Sequence, residues 1–307
     1  MPKICYVDKR FSQSSVAIIG QANAIIADYA AQGFDLTLRQ LYYQFVARGL
    51  IPNQDSEYKR LGSVINDARL AGLIDWNAIR DRTRNLRALS HWVGPQDILR
   101  ASAAQYQRDH WVGQLYRPEV WIEKDALLGV ITPVCNNLDV PFFSCRGYTS
   151  QSEMWVGGRR MERWMKEPSG LHNGQVPVVL HLGDHDPSGI DMTRDIIDRL
   201  AMFSGGVEVK RLALNMDQVE EYGPPPNPAK MTDSRYIGYI DLYGEKSWEL
   251  DALEPQMMAD LITEAVLALR DDDIYQNMLA REEQDKTRLK AIAKRWADVT
   301  EFLEDTS

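Results

Sequence analysis

A chain of 307 residues, 44% of them apolar, is long enough to bury one large core or two modest ones. Its three cysteines, Cys5, Cys135 and Cys145, are odd in number and fit no zinc spacing, which argues against a disulfide framework and for a reduced, cytoplasmic protein. No run reaches the ~18 apolar residues of a membrane span, the first residues do not read as a signal peptide, and a net charge of −9 argues at first against a polyanionic partner.

That charge is uneven. Residues 1–110 carry 14 Lys and Arg against 10 Asp and Glu, whereas the remainder carries 21 against 34. An acidic chain can therefore present a basic arm.

In chain order, residues 12–32 place Val16, Ile18, Ile19, Ile25 and Ile26 at broadly helical spacing, with Gly33 as the expected C-cap. A second helix is predicted to start after Thr37 and stop at Gly49, and a third to span 56–72 with Ser56 or Asp55 as its cap. Within the second, Leu38, Leu41, Tyr42, Phe45 and Val46 form one core-facing stripe. Tyr43 lies off it, turned by roughly 100° from its neighbour, and shares a face with Arg39.

Three short helices followed by "LIDWNAIRDRTRNLR" have the look of a winged helix. Lys59, Arg60 and Arg69 on the third helix, and Arg80, Arg82, Arg84 and Arg87 in or just after the wing, then fall where DNA phosphates would lie. The same charges also suit a solvated face.

From residue 117 short apolar runs alternate with helical stretches. "PEVWIE", "VPFFSC", "VPVVLHL" and "VEVKRLAL" read as strands, and the segments between them as helices. Such alternation predicts βαβ units around a buried parallel sheet. The fold class expected is α/β and multi-domain: a winged-helix unit over 1–110, a parallel-sheet unit over 117–254 and a charged helical region over 255–307.

The strongest local signal is "VVLHLGDHDPSGIDM", residues 178–192. A strand ends at Leu182, and Asp184 and Asp186 follow two apart, so their carboxylates point the same way from extended backbone and can converge on one hard cation. His185 between them points away. The site falls at the carboxyl end of a parallel strand, where open α/β sheets place ligands. Glu123 ends another strand and is followed by Lys124, which suits either a phosphate contact or a surface lysine opening a helix. A Glu and an Asp-x-Asp on two strands resemble the Toprim fold of topoisomerases, primases and related nucleases. That resemblance implies Glu123, Asp184 and Asp186 as a Mg²⁺ set, with Glu123 also serving acid/base chemistry on phosphodiesters.

"LRQLYY", "WIEKDAL" and "GDHDPSGIDM", in this order, resemble the topoisomerase VI A subunit and its meiotic break-forming relative over roughly residues 35–255. Gln40 stands where that family commonly has an acid, and Ser188 where it has an aromatic. The resemblance implies Tyr43 as nucleophile, Arg39 beside it to neutralise the scissile phosphate, and double-strand cleavage by a homodimer in which tyrosine and metal site come from opposite subunits. It further implies double-stranded DNA as partner and nucleoid association in the cytoplasm. The chain's length and its lack of a nucleotide-binding motif resemble short stand-alone forms from mobile elements, for which an ATPase B-type subunit would act in trans. Two alternatives stay open: a Toprim nuclease that hydrolyses DNA with water, and a DNA-binding protein without activity. "SWELDALEP" resembles the family's C-terminal segment and is expected to pack or to contribute to a dimer.

Overall fold

The computed structural model describes residues 3–34, 36–79, 89, 91–168 and 173–305. Three helices open the chain: α1 (Gln13–Ala31), α2 (Leu38–Ala47) and α3 (Asp55–Leu70). α1 is capped by Ser12, and Gly33 follows its end at φ +83°, a left-handed conformation that suits glycine. α2 begins with a reciprocal capping box between Thr37 and Gln40. α3 differs from its predicted start: Asp55 is already helical and Gln54 is the cap residue, without a side-chain cap bond. Tyr42 Oη accepts from Gln54 N at 2.8 Å and so fixes this entry, while Asp55 and Glu57 face the positive end of the helix dipole.

The wing expected after α3 falls largely on residues 80–88 and 90, so Arg80, Arg82, Arg84 and Arg87 lie outside the described residues. What precedes it is tied down by a parallel bridge between Leu36 and Ile79. The helical unit has its own apolar cluster, centred on Ile25, Tyr29, Leu41, Phe45, Leu61 and Ile65.

α4 (Pro95–Gln105) leads to the sheet. Four strands, β1 (Tyr116–Ile122), β2 (Phe142–Ser144), β3 (Val176–Leu182) and β4 (Glu208–Ala213), pair in parallel in the order β2-β1-β3-β4. The fold is thus α/β with a parallel sheet, as its alternating apolar runs predict. Helices cover both faces: α5 (Leu128–Asn137) and α10 (Pro255–Leu267) pack on Val120, Ile122, Val178, Leu180 and Leu182. α6 (Gln151–Lys166) and α7 (Pro187–Ser204) cover Trp121 and Val179 on the other side. Burial on both faces is why β1 and β3 read as continuous rather than alternating apolar runs.

After β4 come α8 (Met216–Tyr222), α9 (Tyr236–Tyr243), a 3-10 turn at Leu250–Ala252 and α10. The chain then ends in α11 (Asp272–Lys294) and α12 (Trp296–Asp305). α11 returns to the N-terminal side of β1: Glu282 accepts from Arg108 N at 2.8 Å and meets His110 Nε2 at 2.7 Å, and Arg108 pairs with Asp285. No helix among the described residues is long and apolar enough to cross a membrane.

Candidate metal centre and its tyrosine

In the order β2-β1-β3-β4 the chain leaves β1 toward one edge and β3 toward the other, so the crevice between their carboxyl ends is the topological switch point. Glu123 and Asp184 project there. Glu123 N bonds Leu182 O at 2.9 Å, and its Oε2 accepts from Asp184 N at 2.8 Å, so the two strand ends are laced together.

Asp186 takes a different part from the one its spacing predicts. Its Oδ1 accepts from Gly189 N at 2.6 Å and Ser188 Oγ at 2.8 Å, making it the N-cap of α7. It stays close enough to Glu123 for its charge to raise that carboxyl, which burial already pushes up. Gly189 is obligatory in this turn, because a Cβ there would lie 2.2 Å from Asp184 O. Arg211 braces the loop from behind, donating to the carbonyl oxygens of Gly183 (3.0 Å), Asp184 (2.6 Å) and Gly189 (2.9 Å).

Two acids that sequence reading missed complete the cluster. The segment "SWELDALEP" runs beside the Asp184 loop: His185 N donates to Trp248 O at 2.8 Å and Trp248 N to His185 O at 2.9 Å. One step further, Leu250 N donates to Asp184 Oδ1 at 2.8 Å. This two-rung ladder plants Leu250 in the core and turns its neighbours, Glu249 and Asp251, toward Asp184. Asp184, Glu249 and Asp251 offer oxygens that all lie within 4.8 Å of one another, and they can hold a metal ion. The donor set is all carboxylate, the chemistry of hard cations such as Mg²⁺, Ca²⁺ or Mn²⁺. The fit is supported by Asp251, whose side chain is 0% exposed and whose two oxygens accept no hydrogen bond. A missed signal was available, since Glu249-x-Asp251 repeats the i, i+2 spacing of Asp184-x-Asp186.

Lys124 is neither at the surface nor simply opening a helix. Its Nζ lies 2.8 Å from Asp184 Oδ2 and 3.0 Å from Asp251 Oδ1, and it contacts Glu249 Oε2. Burial alone would lower its pKa, but three carboxylates more than offset that and hold it charged. Burial also acts to raise Glu249, and Lys124 brings it net down; Asp184 is held up by desolvation against the pull of Lys124.

The tyrosine helix abuts this cluster within the same chain. Arg39 Nη2 donates to Tyr43 Oη at 3.3 Å, and Arg39 Nε lies 3.7 Å from Asp251 Oδ2. Tyr43 therefore shares a face with Arg39, as the helical period predicts. It is nonetheless buried rather than surface-facing, at 9% exposure. The apolar stripe packs on α1 and α3, and the Leu250–Ala252 turn covers the opposite side, so the middle of α2, Gln40 to Phe45, is buried while Arg39 stays half-exposed. Burial and the Glu249 charge push the Tyr43 hydroxyl up, with Arg39 pulling the other way. Tyr42 is equally buried but fully engaged: its Oη donates toward Asn53 Oδ1 at 3.0 Å while accepting from Gln54 N. A small cavity of about 180 Å³ opens beside the pair, lined by Arg39, Tyr42, Tyr43, Asn53, Asp55 and Tyr58.

Of the basic residues on α3, Lys59 and Arg60 are exposed, Arg60 pairing with Glu57 at 2.9 Å. Arg69 instead turns onto Trp76, donating to its carbonyl at 2.7 Å with the guanidinium 4.7 Å from the indole centroid. His181 and His185 contact Thr193 and Tyr239, and neither takes part in the acidic cluster. Compared with known protein families and with curated proteins, the chain matches none.

Proposed function

We propose that this chain cleaves double-stranded DNA by transesterification, with Tyr43 as nucleophile, the chemistry of the topoisomerase VI A subunit that its motifs resemble, but with tyrosine and acidic cluster supplied by one chain rather than by opposite subunits. One observation carries the reading: Arg39 touches both the Tyr43 hydroxyl and the flank of an acidic cluster able to hold a metal. A phosphate drawn to Arg39 would lie between a nucleophile and that cluster.

In the reaction Tyr43 Oη bonds to phosphorus as the bond to the sugar oxygen breaks. The phenol loses a proton and the departing sugar hydroxyl gains one, so no water or redox partner is consumed. Asp184, Glu249 and Asp251, with Glu123 and Asp186 beside them, would hold a divalent cation, which would supply positive charge to the phosphate and the leaving oxygen. Mg²⁺ is the proposed ion, and the Glu123–Asp184–Asp186 set implied by the Toprim resemblance overlaps this cluster at Asp184. Arg39 binds and neutralises the phosphate, and it favours the phenolate. Lys59 and Arg60 are proposed to hold the duplex backbone, and a homodimer would cut both strands. An ATPase subunit acting in trans, and origin from a mobile element, belong to the same reading.

A hydrolytic nuclease is the second reading, favoured by the burial and the Glu249 charge that push the Tyr43 hydroxyl up and so work against its use as a nucleophile. Plasmid incubation with Mg²⁺ separates the two. Under the first, wild type yields protein-linked DNA after denaturation and Tyr43→Phe yields neither cleavage nor adduct; cleavage that persists in Tyr43→Phe without adduct establishes the second.

A further inference from the structure

Lys124 stands where a metal would. The three acids converge to within 4.8 Å, and the Lys124 ammonium contacts all of them, at 2.8 Å from Asp184 and 3.0 Å from Asp251 and in closer contact with Glu249. A divalent ion bridging those oxygens would need the same volume and would meet a like charge at contact distance. The two cations exclude each other. Removing Lys124 with no substitute is also disfavoured, because it leaves three crowded, largely buried carboxylates uncompensated.

The covalent geometry permits exchange. Lys124 sits at the end of β1 on extended backbone, φ −110° and ψ 125°, and its ammonium rides on a flexible four-carbon stem. The side chain keeps 18% exposure, so a way out to solvent exists. Asp251 would gain most from the exchange, since its buried oxygens accept no hydrogen bond and are balanced by charge alone, Lys124 on one side and Arg39 at 3.7 Å on the other. A metal can fill that deficit with direct coordination.

We propose that Lys124 is a tethered cation that keeps the acidic cluster charge-balanced until a divalent ion displaces it, whereupon its ammonium moves to the rim of the site. The Lys124 side chain already reaches from solvent, at 18% exposure, to the cluster, so the displaced charge remains available to a phosphate. Loading the site thus converts an internal counter-ion into a substrate contact. The inference rests on the reading that Asp184, Glu249 and Asp251 hold a metal, and it concerns how that metal enters.

Mn²⁺ is the probe, with the full chain and no DNA. In calorimetric titration Lys124→Met should bind Mn²⁺ at least tenfold more tightly than wild type, since the competitor is gone. Affinity in Lys124→Met equal to or weaker than wild type overturns the proposal. A second measurement has wild type alone as its deciding arm: amine labelling read by mass spectrometry. Lys124 should label several-fold faster with Mn²⁺ than without, and Asp251→Asn should blunt that response; equal rates with and without Mn²⁺ overturn the exchange. Mn²⁺ binding by neither wild type nor Lys124→Met would defeat the metal reading itself, a result distinct from binding that ignores Lys124.

Discussion

The Asp184 loop and the tyrosine helix meet at one site by different routes. Around Asp184 the chemistry is local: a strand ends, an acid follows, and Pro187, Ser188 and Gly189 start the next helix within a few residues. Tyr43 owes its setting to chain some two hundred residues away, where Leu250–Ala252 closes over α2 and sets Asp251 against Arg39. Neighbouring residues therefore suffice to place Asp184 at its strand end, whereas the helix gives up its meaning only with its distant partner in place.

The largest expected effect breaks the local half of this comparison. Gly189→Ala drives a Cβ to 2.2 Å from Asp184 O, and the next nearest atoms, Asp184 C at 3.0 Å and N at 3.1 Å, are also backbone rather than a flexible side chain that could give way. Urea denaturation should register a loss of about 3 kcal/mol or more. A change below about 1 kcal/mol would show that the loop can shift and that the site does not depend on its tight turn.

Tyr42→Phe sharpens the distant half. It removes a hydroxyl that accepts from Gln54 N and donates to Asn53, leaving the Gln54 amide short of a partner at the start of α3. The cost should be about 1.5 kcal/mol in stability. Tyr43→Phe, which loses one longer contact of 3.3 Å to a half-exposed Arg39, should cost well under that in the same assay. Reversed magnitudes would mean that packing and chemistry are assigned to the wrong members of the pair.

A smaller effect concerns how α11 is held. Glu282 is pulled down to about 2: burial opposes this, but Lys286, Arg108 N and His110 outweigh it. An unfolded glutamate titrates near about 4.3, so the stabilisation is complete above that pH and fades as pH falls toward 2. Thermal melts of Glu282→Gln should be less stable than wild type at neutral pH and converge with it across that window. A gap that persists below pH 3 would place the contribution in packing rather than charge.

Much of the sheet was legible because a buried strand is apolar on both faces, and β1 and β3 stand where such runs predict them; the edge strand β4, half exposed and charged, also falls within its predicted segment. Asp184 was legible for the same reason, being tied to a strand end. Asp186 was not, since a carboxylate two residues on can either join a cation site or cap the helix that follows, and spacing alone does not choose between them. Glu249 and Asp251 were hidden by distance in sequence: the His185–Trp248 pairing and the Leu250 N bond to Asp184 bring them to the loop. Arg69 resembled a phosphate ligand on a basic helix until Trp76 offered it an aromatic face and a carbonyl. Helical period identified which tyrosine shares a face with Arg39, but it carried no information on burial by a remote turn.

The central claim is that chemistry resides on Tyr43 and packing on Tyr42. Its most direct measurement is mass spectrometry of nuclease-trimmed protein after incubation with plasmid and Mg²⁺, mapping any nucleotide left on the chain. The account predicts a nucleotide phosphodiester on Tyr43 that disappears in both Tyr43→Phe and Asp251→Asn. A nucleotide on another residue, or DNA cleavage with no modified tyrosine, would contradict it.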